Sequence, residues 1–189
     1  MGEKGSLNLG EFRLWATGNL VENRNRGVFA EWLVGKALDA VDPLVPRREW
    51  DAADLRYRDR LIEVKSSGRG QSWPQDRPST IRFDIPPSKQ PWDAETNQWA
   101  DLDPPRRVAC VYVFCCHDPF PATNENVANP SSWRFWVVPT STLDSELGDQ
   151  KTVGTETLDR LVETVRWTDL RGAIDAAVEQ SPPFTGFNA

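Results

Sequence analysis

A mixed β-sheet flanked by helices, an α/β fold, is the fold class this 189-residue sequence predicts. Three observations predict it: an apolar stripe at helical spacing precedes a charged hairpin, a continuous β-prone run follows, and a second helical stripe comes near the end. The length lies within the usual range for one domain, roughly 100–200 residues, so residues 1–189 are expected to form a single unit.

The first helix is read from Gly27–Val41, where Ala30, Leu33, Val34, Ala37, Leu38 and Val41 recur at helical spacing and make one apolar stripe. Glu31 falls at the margin of that stripe, with Lys36 and Asp39 across the helix, so its carboxylate is tipped toward the surface the stripe covers, expected to be the sheet. Next, Glu49–Ser67 reads as two strands joined by a polar turn. Ile62 and Val64 alternate with Glu63 and Lys65, the period-two repeat of a strand with unlike faces. If Arg58-Asp59 is a two-residue turn, Tyr57 opposes Arg60 and, counting outward, Asp54 opposes Glu63, which sends both carboxylates to one side. Asp51 points to the other face in a regular strand; a bulge would exchange the two aspartates.

Residues 68–105 are rich in proline and form an irregular excursion, interrupted by a short strand at Thr80–Ile85. Trp73, Trp92 and Trp99 suggest that it is folded against the body rather than disordered. Arg107–Cys116 is then a continuous apolar run, as expected of a central strand buried on both faces and lying beside the hairpin. Trp133–Val138, closed by Pro139, is another strand, and the proline- and asparagine-rich segment before it is a loop. Leu170, Ala173, Ile174, Ala177 and Val178 follow helical spacing after Thr168-Asp169, a credible N-cap region. Trp15, Trp32, Trp50, Trp133, Trp136 and Trp167 fall in helix or strand settings, where core packing is expected. The tail 181–189 is expected to be loosely packed.

Two carboxylates brought together repel each other unless positive charge sits between them, and a divalent cation is the usual solution. Oxygen ligands from Asp54 and Glu63, with the Val64 carbonyl between, suit Mg2+ or its substitute Mn2+ rather than zinc. Lys65 would then stand beside the ion, where it can orient an attacking water and neutralise charge on a phosphate. An E-x-K triplet alone is common on solvated faces; the preceding helix with Glu31 makes this one more specific.

This order, a helix with an inward Glu31, then Asp54, then Glu63-x-Lys65, resembles the PD-(D/E)xK superfamily of restriction-endonuclease-like nucleases. The phrases Asn25–Glu31, Ile62–Ser67 and Gln71–Trp73 look like small bacterial members. The resemblance implies a restriction-endonuclease-like fold, a Mg2+-dependent deoxyribonuclease activity, and roles for Asp54, Glu63, Val64 and Glu31 at metal and for Asp54, Glu63, Lys65 and Glu31 in catalysis. It covers residues 25–73. It departs from the family at Ala53, where a proline often stands, and Gln75 occupies the position at which a RecB-like member carries tyrosine. A non-catalytic DNA-binding or protein-interaction module on the same fold is the competing class, and RNA stays open as a substrate.

The formal charge of −6 argues against nucleic-acid binding, but its excess is confined to one part of the chain. Residues 1–110 hold 17 basic and 17 acidic side chains, whereas 111–189 hold 5 and 11. Arg24, Arg26, Arg69 and Arg77, with Gln71, are the expected DNA contacts, and two copies paired as a homodimer would suit cutting of both strands. Cys110, Cys115 and Cys116 form no Cys-x-x-Cys pair and are expected to be core thiols; one histidine, His117, leaves no histidine-pair metal site within one chain. Cys116 and His117, adjacent in a strand, would face opposite ways and make no dyad. No apolar signal segment or membrane-length run is seen, which points to the cytoplasm.

Overall fold

A computed structural model of the chain describes residues 7–48, 51–94, 96–184 and 187. It is a mixed α/β structure. In chain order the elements are α1 (Leu9–Thr17), α2 (Asn23–Ala37), β1 (Leu55–Tyr57), β2 (Arg60–Gly68), β3 (Arg82–Asp84), β4 (Trp92–Asp93), β5 (Gln98–Trp99), β6 (Val111–His117), α3 (Asn124–Val127), β7 (Trp133–Pro139), α4 (Thr140–Leu147), β8 (Thr152–Gly154), α5 (Thr155–Leu161) and α6 (Leu170–Glu179). The main sheet has the order β1-β2-β6-β7, with β2 and β6 parallel and the other two pairs antiparallel.

The helix expected at 27–41 is displaced toward the amino terminus. Glu22 caps it by accepting from the Asn25 N–H at 3.1 Å, and the chain leaves it through Asp39 at φ 53°, a left-handed conformation that stops propagation. Val41 therefore lies outside the helix and folds back over Gly35, where a Cβ would stand 2.2 Å from its side chain, so this position excludes any larger residue. Ala30, Leu33 and Val34 are buried, as the stripe predicts.

The hairpin has the expected register: Tyr57 pairs with Arg60, Arg56 with Leu61 and Leu55 with Ile62. Arg58 and Asp59 both take positive φ (48° and 57°), the pattern of a type I′ turn, whose twist matches that of the flanking strands. The first strand is shorter than expected. Residues 51–54 form bends, and Glu49 and Trp50 lie outside the described residues.

All seven residues of β6 are buried, as expected of a central strand. One face of the sheet packs Ile62, Val64, Val113 and Phe135 against Leu33 and Val34 of α2 and Ile174 of α6. The other packs Leu61, Tyr112, Phe114 and Trp136 against Phe83 and Leu158. Phe83 comes from the excursion, which pairs β3 antiparallel with β8 and so forms a second layer over that face. Ile81, Phe83 and Ile85 anchor it. The tryptophans do not, since Trp73 and Trp99 are exposed and Trp92 is half-buried, packing edge-on with Trp99 at 5.2 Å.

Core packing of tryptophans holds at Trp133 and Trp136 and fails at Trp15, which is 84% exposed, and at Trp32. Trp167 is half-buried and donates to the Leu33 carbonyl at 3.1 Å. The expected loop 117–132 contains the short α3, capped reciprocally by Thr123 and Asn126. Asp169 stands at the N-cap of α6 without a side-chain capping bond to the helix, its carboxylate accepting from the Thr168 hydroxyl at 3.1 Å instead. No helix among the described residues is long and apolar enough to cross a membrane.

Candidate active site

The site lies where β1 stops and β2 continues. Because β1 pairs only as far back as Leu55, the edge of β2 from Glu63 onward has no strand beside it. Asp54, the residue just before β1, fills the first vacancy: its Oδ2 accepts the Val64 N–H at 2.8 Å. A strand residue's N–H and C=O point to the same edge, so the Val64 carbonyl faces the side on which Asp54 stands.

Side-chain alternation places the rest. Ile62 and Val64 enter the core under α2, which leaves Glu63 and Lys65 on the opposite face with Leu61 and Tyr112. Lys65 Nζ donates to Glu63 Oε1 at 2.5 Å, and both side chains are largely buried. Glu31 approaches from α2. Arg47 grips its carboxylate with two nitrogens, the Nη2 contact measuring 2.8 Å, and nothing in the sequence spacing marks Arg47 for that role.

Charge is crowded here. Burial raises the Glu63 carboxyl above its ordinary range, and the Asp54 charge raises it further, against the attraction of Lys65. Burial likewise raises Asp54, which the Val64 hydrogen bond and the charges of Lys65 and Arg47 only partly offset. Glu31 is raised by burial and then by Asp54, despite its Arg47 partner. Each of the three acids is therefore held away from its preferred ionised state, the arrangement expected where a cation binds.

The residues fit some metals better than others. Among the described residues no three His, Cys, Asp or Glu side chains surround one point closely enough to form a complete cage. Mg2+ does not ask for one, since it keeps several waters and binds through one or two carboxylates. Asp54, with one oxygen used by Val64, and Glu63, shared with Lys65, provide such a pair, and the Val64 carbonyl edge is adjacent. Glu31, bound by Arg47, stands behind them.

The expected nucleic-acid contacts divide. Arg24 and Arg77 are at the surface. Arg26 is not: it is 3% exposed, and its guanidinium donates to the carbonyls of Val21 and Gly70 and to Asn23, so it ties α2 to the end of β2 instead of meeting a phosphate. Arg69 pairs with Asp118 at 3.3 Å. Gln71 donates through Nε2 to the Gly68 carbonyl at 2.8 Å and to Ser79, which makes it a brace for the loop after β2. Asp51, the alternative first acid, sits in an ion pair with Arg56 at 3.5 Å, while Asp54 holds the β2 edge.

Cys115 and Cys116 are core thiols, whereas Cys110, expected with them, is only half-buried. Burial drives Cys115 well above its ordinary value and Cys116 up to about 12, the latter helped by the Asp118 charge. Cys116 packs on the face away from α2, whereas His117 lies against Trp133 at 5.1 Å on the other, so the two make no dyad. Comparison with known proteins returns no matching family model and no curated relative.

Proposed function

We propose that this protein is a member of the PD-(D/E)xK superfamily and a Mg2+-dependent endodeoxyribonuclease acting in the cytoplasm. The observation that carries the reading is the convergence of Asp54, Glu63 and Lys65 at the open edge of β2, with both acids pushed up by burial and Glu63 pushed further by Asp54. A divalent cation held by Asp54, Glu63 and the Val64 carbonyl would supply Lewis acidity to the scissile phosphate and the attacking water. Mn2+ would serve in its place.

The chain's own groups do the rest. Glu63 and Asp54 would hold the cation, and through it the phosphate, at the end of β1, and Arg47 keeps the Glu31 carboxylate in place. Lys65 is tied to Glu63 in the absence of substrate. Loss of that partner to a cation would release its ammonium to turn toward the phosphate, orient the water and stabilise the added negative charge. Water then gives up a proton to solvent as it forms the new P–O bond, the ester P–O bond breaks, and the departing oxygen takes up a proton from solvent. Arg24 and Arg77 lie at the surface, where the flanking DNA backbone can reach them.

The test is direct. Purified protein is incubated with supercoiled, linear and single-stranded DNA and with RNA, in Mg2+ or in chelator. Cleavage of DNA in Mg2+ that chelator abolishes is expected; cleavage of RNA alone would reassign the substrate. A protein that binds DNA equally in Mg2+ and chelator and cuts nothing would be the binding module instead.

A further inference from the structure

Beside Glu63 and Lys65, on the sheet face away from α2, lies an open cleft of about 220 Å3. Those two side chains form part of its wall, so whatever fills it touches the proposed hydrolytic centre. Pockets for whole drug-sized ligands run to roughly 300–1,000 Å3, so this one suits a single monomer unit. Ile85 and Pro86 from the excursion and Val108 before β6 give it apolar surfaces.

Its polar groups are mainly acceptors. Asp84 brings an exposed carboxylate, and Asp51 brings one that already pairs with Arg56 at 3.5 Å and keeps lone pairs to accept further. Tyr112 opposes Glu63 across the β2–β6 register, is only 5% exposed, and its hydroxyl has no hydrogen-bond partner among the described residues. A phenol carries both a donor and an acceptor, so this hydroxyl can donate to a ligand. The cations at the wall are engaged. Arg107 donates to the Ile85 carbonyl at 2.9 Å, to Asp144 at 2.5 Å and to the Gln150 carbonyl at 3.1 Å, while Lys65 is paired with Glu63.

A phosphate would be repelled by such a lining. A planar heterocycle with exocyclic amino groups would not, because the apolar walls cover its faces and the carboxylates accept from its N–H groups, as carboxylates do from cytosine N4. We infer that the cleft seats one unpaired base next to the scissile phosphate. The substrate of the centre proposed above, on which this rests, is then single-stranded or locally unpaired nucleic acid, with amino-bearing bases preferred to thymine. In a perfect duplex the same base is stacked and paired and must be turned out before it can enter.

The parent protein in Mg2+ is given oligonucleotides of one sequence as a single strand, a perfect duplex and a duplex with one unpaired nucleotide. The expected result is a kcat/KM about tenfold or more higher on the first and third. Equal or faster cutting of the duplex overturns the inference. Ser88 also lines the cleft, so Ser88→Trp should fill it and erase the single-strand advantage while keeping the parent's Mg2+-induced rise in melting temperature; an undiminished advantage also overturns it. Tyr112→Phe, nearly isosteric, should narrow the preference for cytosine over thymine next to the cut, and an unchanged preference removes Tyr112 from the base site. Should the parent cut nothing, the hydrolytic reading falls separately. The cleft is then tested by a single strand carrying 2-aminopurine: its fluorescence should change with the parent protein and not with Ser88→Trp, and no difference between them overturns the inference.

Discussion

Two half-buried charge clusters lie toward the two ends of β2 and are built in opposite ways. At the carboxyl ends of β2 and β6, Asp118 is gripped by Arg134 through Nε at 2.5 Å and Nη2 at 2.9 Å and by Arg69 at 3.3 Å. Burial alone would raise the Asp118 carboxyl, but the Arg134 hydrogen bond and charge, with Cys116 and Arg69, outweigh it and hold the group below its ordinary range. Arg134 in turn is raised by Asp118. Each partner pushes the other toward its charged form. Toward the other end of β2, Asp54, Glu63 and Glu31 are all pushed away from theirs. A cluster that satisfies itself braces the fold, whereas one that leaves its acids in excess is the place where the proposed cation would bind.

The sharpest way to break that comparison is to remove one charge from each cluster. Lys65→Ala should lower kcat/KM on DNA by about 10²–10⁴-fold, the usual range for loss of a group acting on the reacting atoms, with the melting temperature within a few degrees of the parent. A cleavage rate within about threefold of the parent would remove Lys65 from the chemistry.

Asp118→Ala should do the reverse. It strands Arg69 and Arg134 beside each other, and breaking a half-buried pair from one side costs about 1–3 kcal/mol, read as a lower denaturation midpoint. The cleavage rate per folded molecule should stay near the parent's. Loss of activity without loss of stability would show that the two clusters are not functionally separate.

The third test uses pH. In the folded chain the Asp54, Glu63 and Glu31 carboxyls titrate above their unfolded values. Between the ordinary carboxylate range and those raised values the folded state holds protons that the unfolded state has lost. The ion-free stability these groups confer therefore declines as pH rises through that window and stays low above it. Protons and metal compete for the same oxygens, so the Mg2+-induced rise in melting temperature should be larger at pH 8 than at pH 5. Asp54→Asn should flatten that difference, because the amide oxygen can still accept from Val64 while the charge is gone. An equal Mg2+ effect at both pH values, in parent and variant alike, would count against metal at this site.

How legible each cluster was in the sequence follows from the same physics. Hairpin register follows from local rules: alternation of Ile62 and Val64 with Glu63 and Lys65, plus a two-residue turn, gives the pairs from Tyr57–Arg60 to Leu55–Ile62, but the expected opposition of Asp54 to Glu63 is not formed as a strand pair, because residues 51–54 bend away and Asp54 meets the Val64 N–H through its side chain instead. The buried run of β6 was equally plain from its unbroken apolar composition. The Asp118 cluster was not, since it joins residues 69, 118 and 134 through strand ends that no local pattern brings together. Arg26 misled because a surface helix normally exposes its arginines, and only the fold supplies the carbonyls of Val21 and Gly70 that make burial tolerable. The exposed Trp15 misled the other way, as aromatic residues bury far more often than not. Neither β8 nor its pairing with β3 was readable, because a three-residue strand carries too little period to detect.

The smallest expected effect concerns Glu31, and it separates support from direct action. Glu31→Gln removes one of the charges raising Glu63 and loosens the grip of Arg47, but leaves Asp54, Glu63 and Lys65 in place. If Glu31 only braces the centre, kcat/KM should fall by about tenfold, with the Mg2+ dependence shifted to modestly higher concentration, the scale usual for residues that orient metal ligands. If Glu31 instead holds a second ion, the Mg2+ titration of the parent should show two phases and the variant one, and the loss should approach that of Lys65→Ala. The bidentate hold of Arg47 favours the first outcome, since a carboxylate already neutralised by a guanidinium has little left to offer a cation.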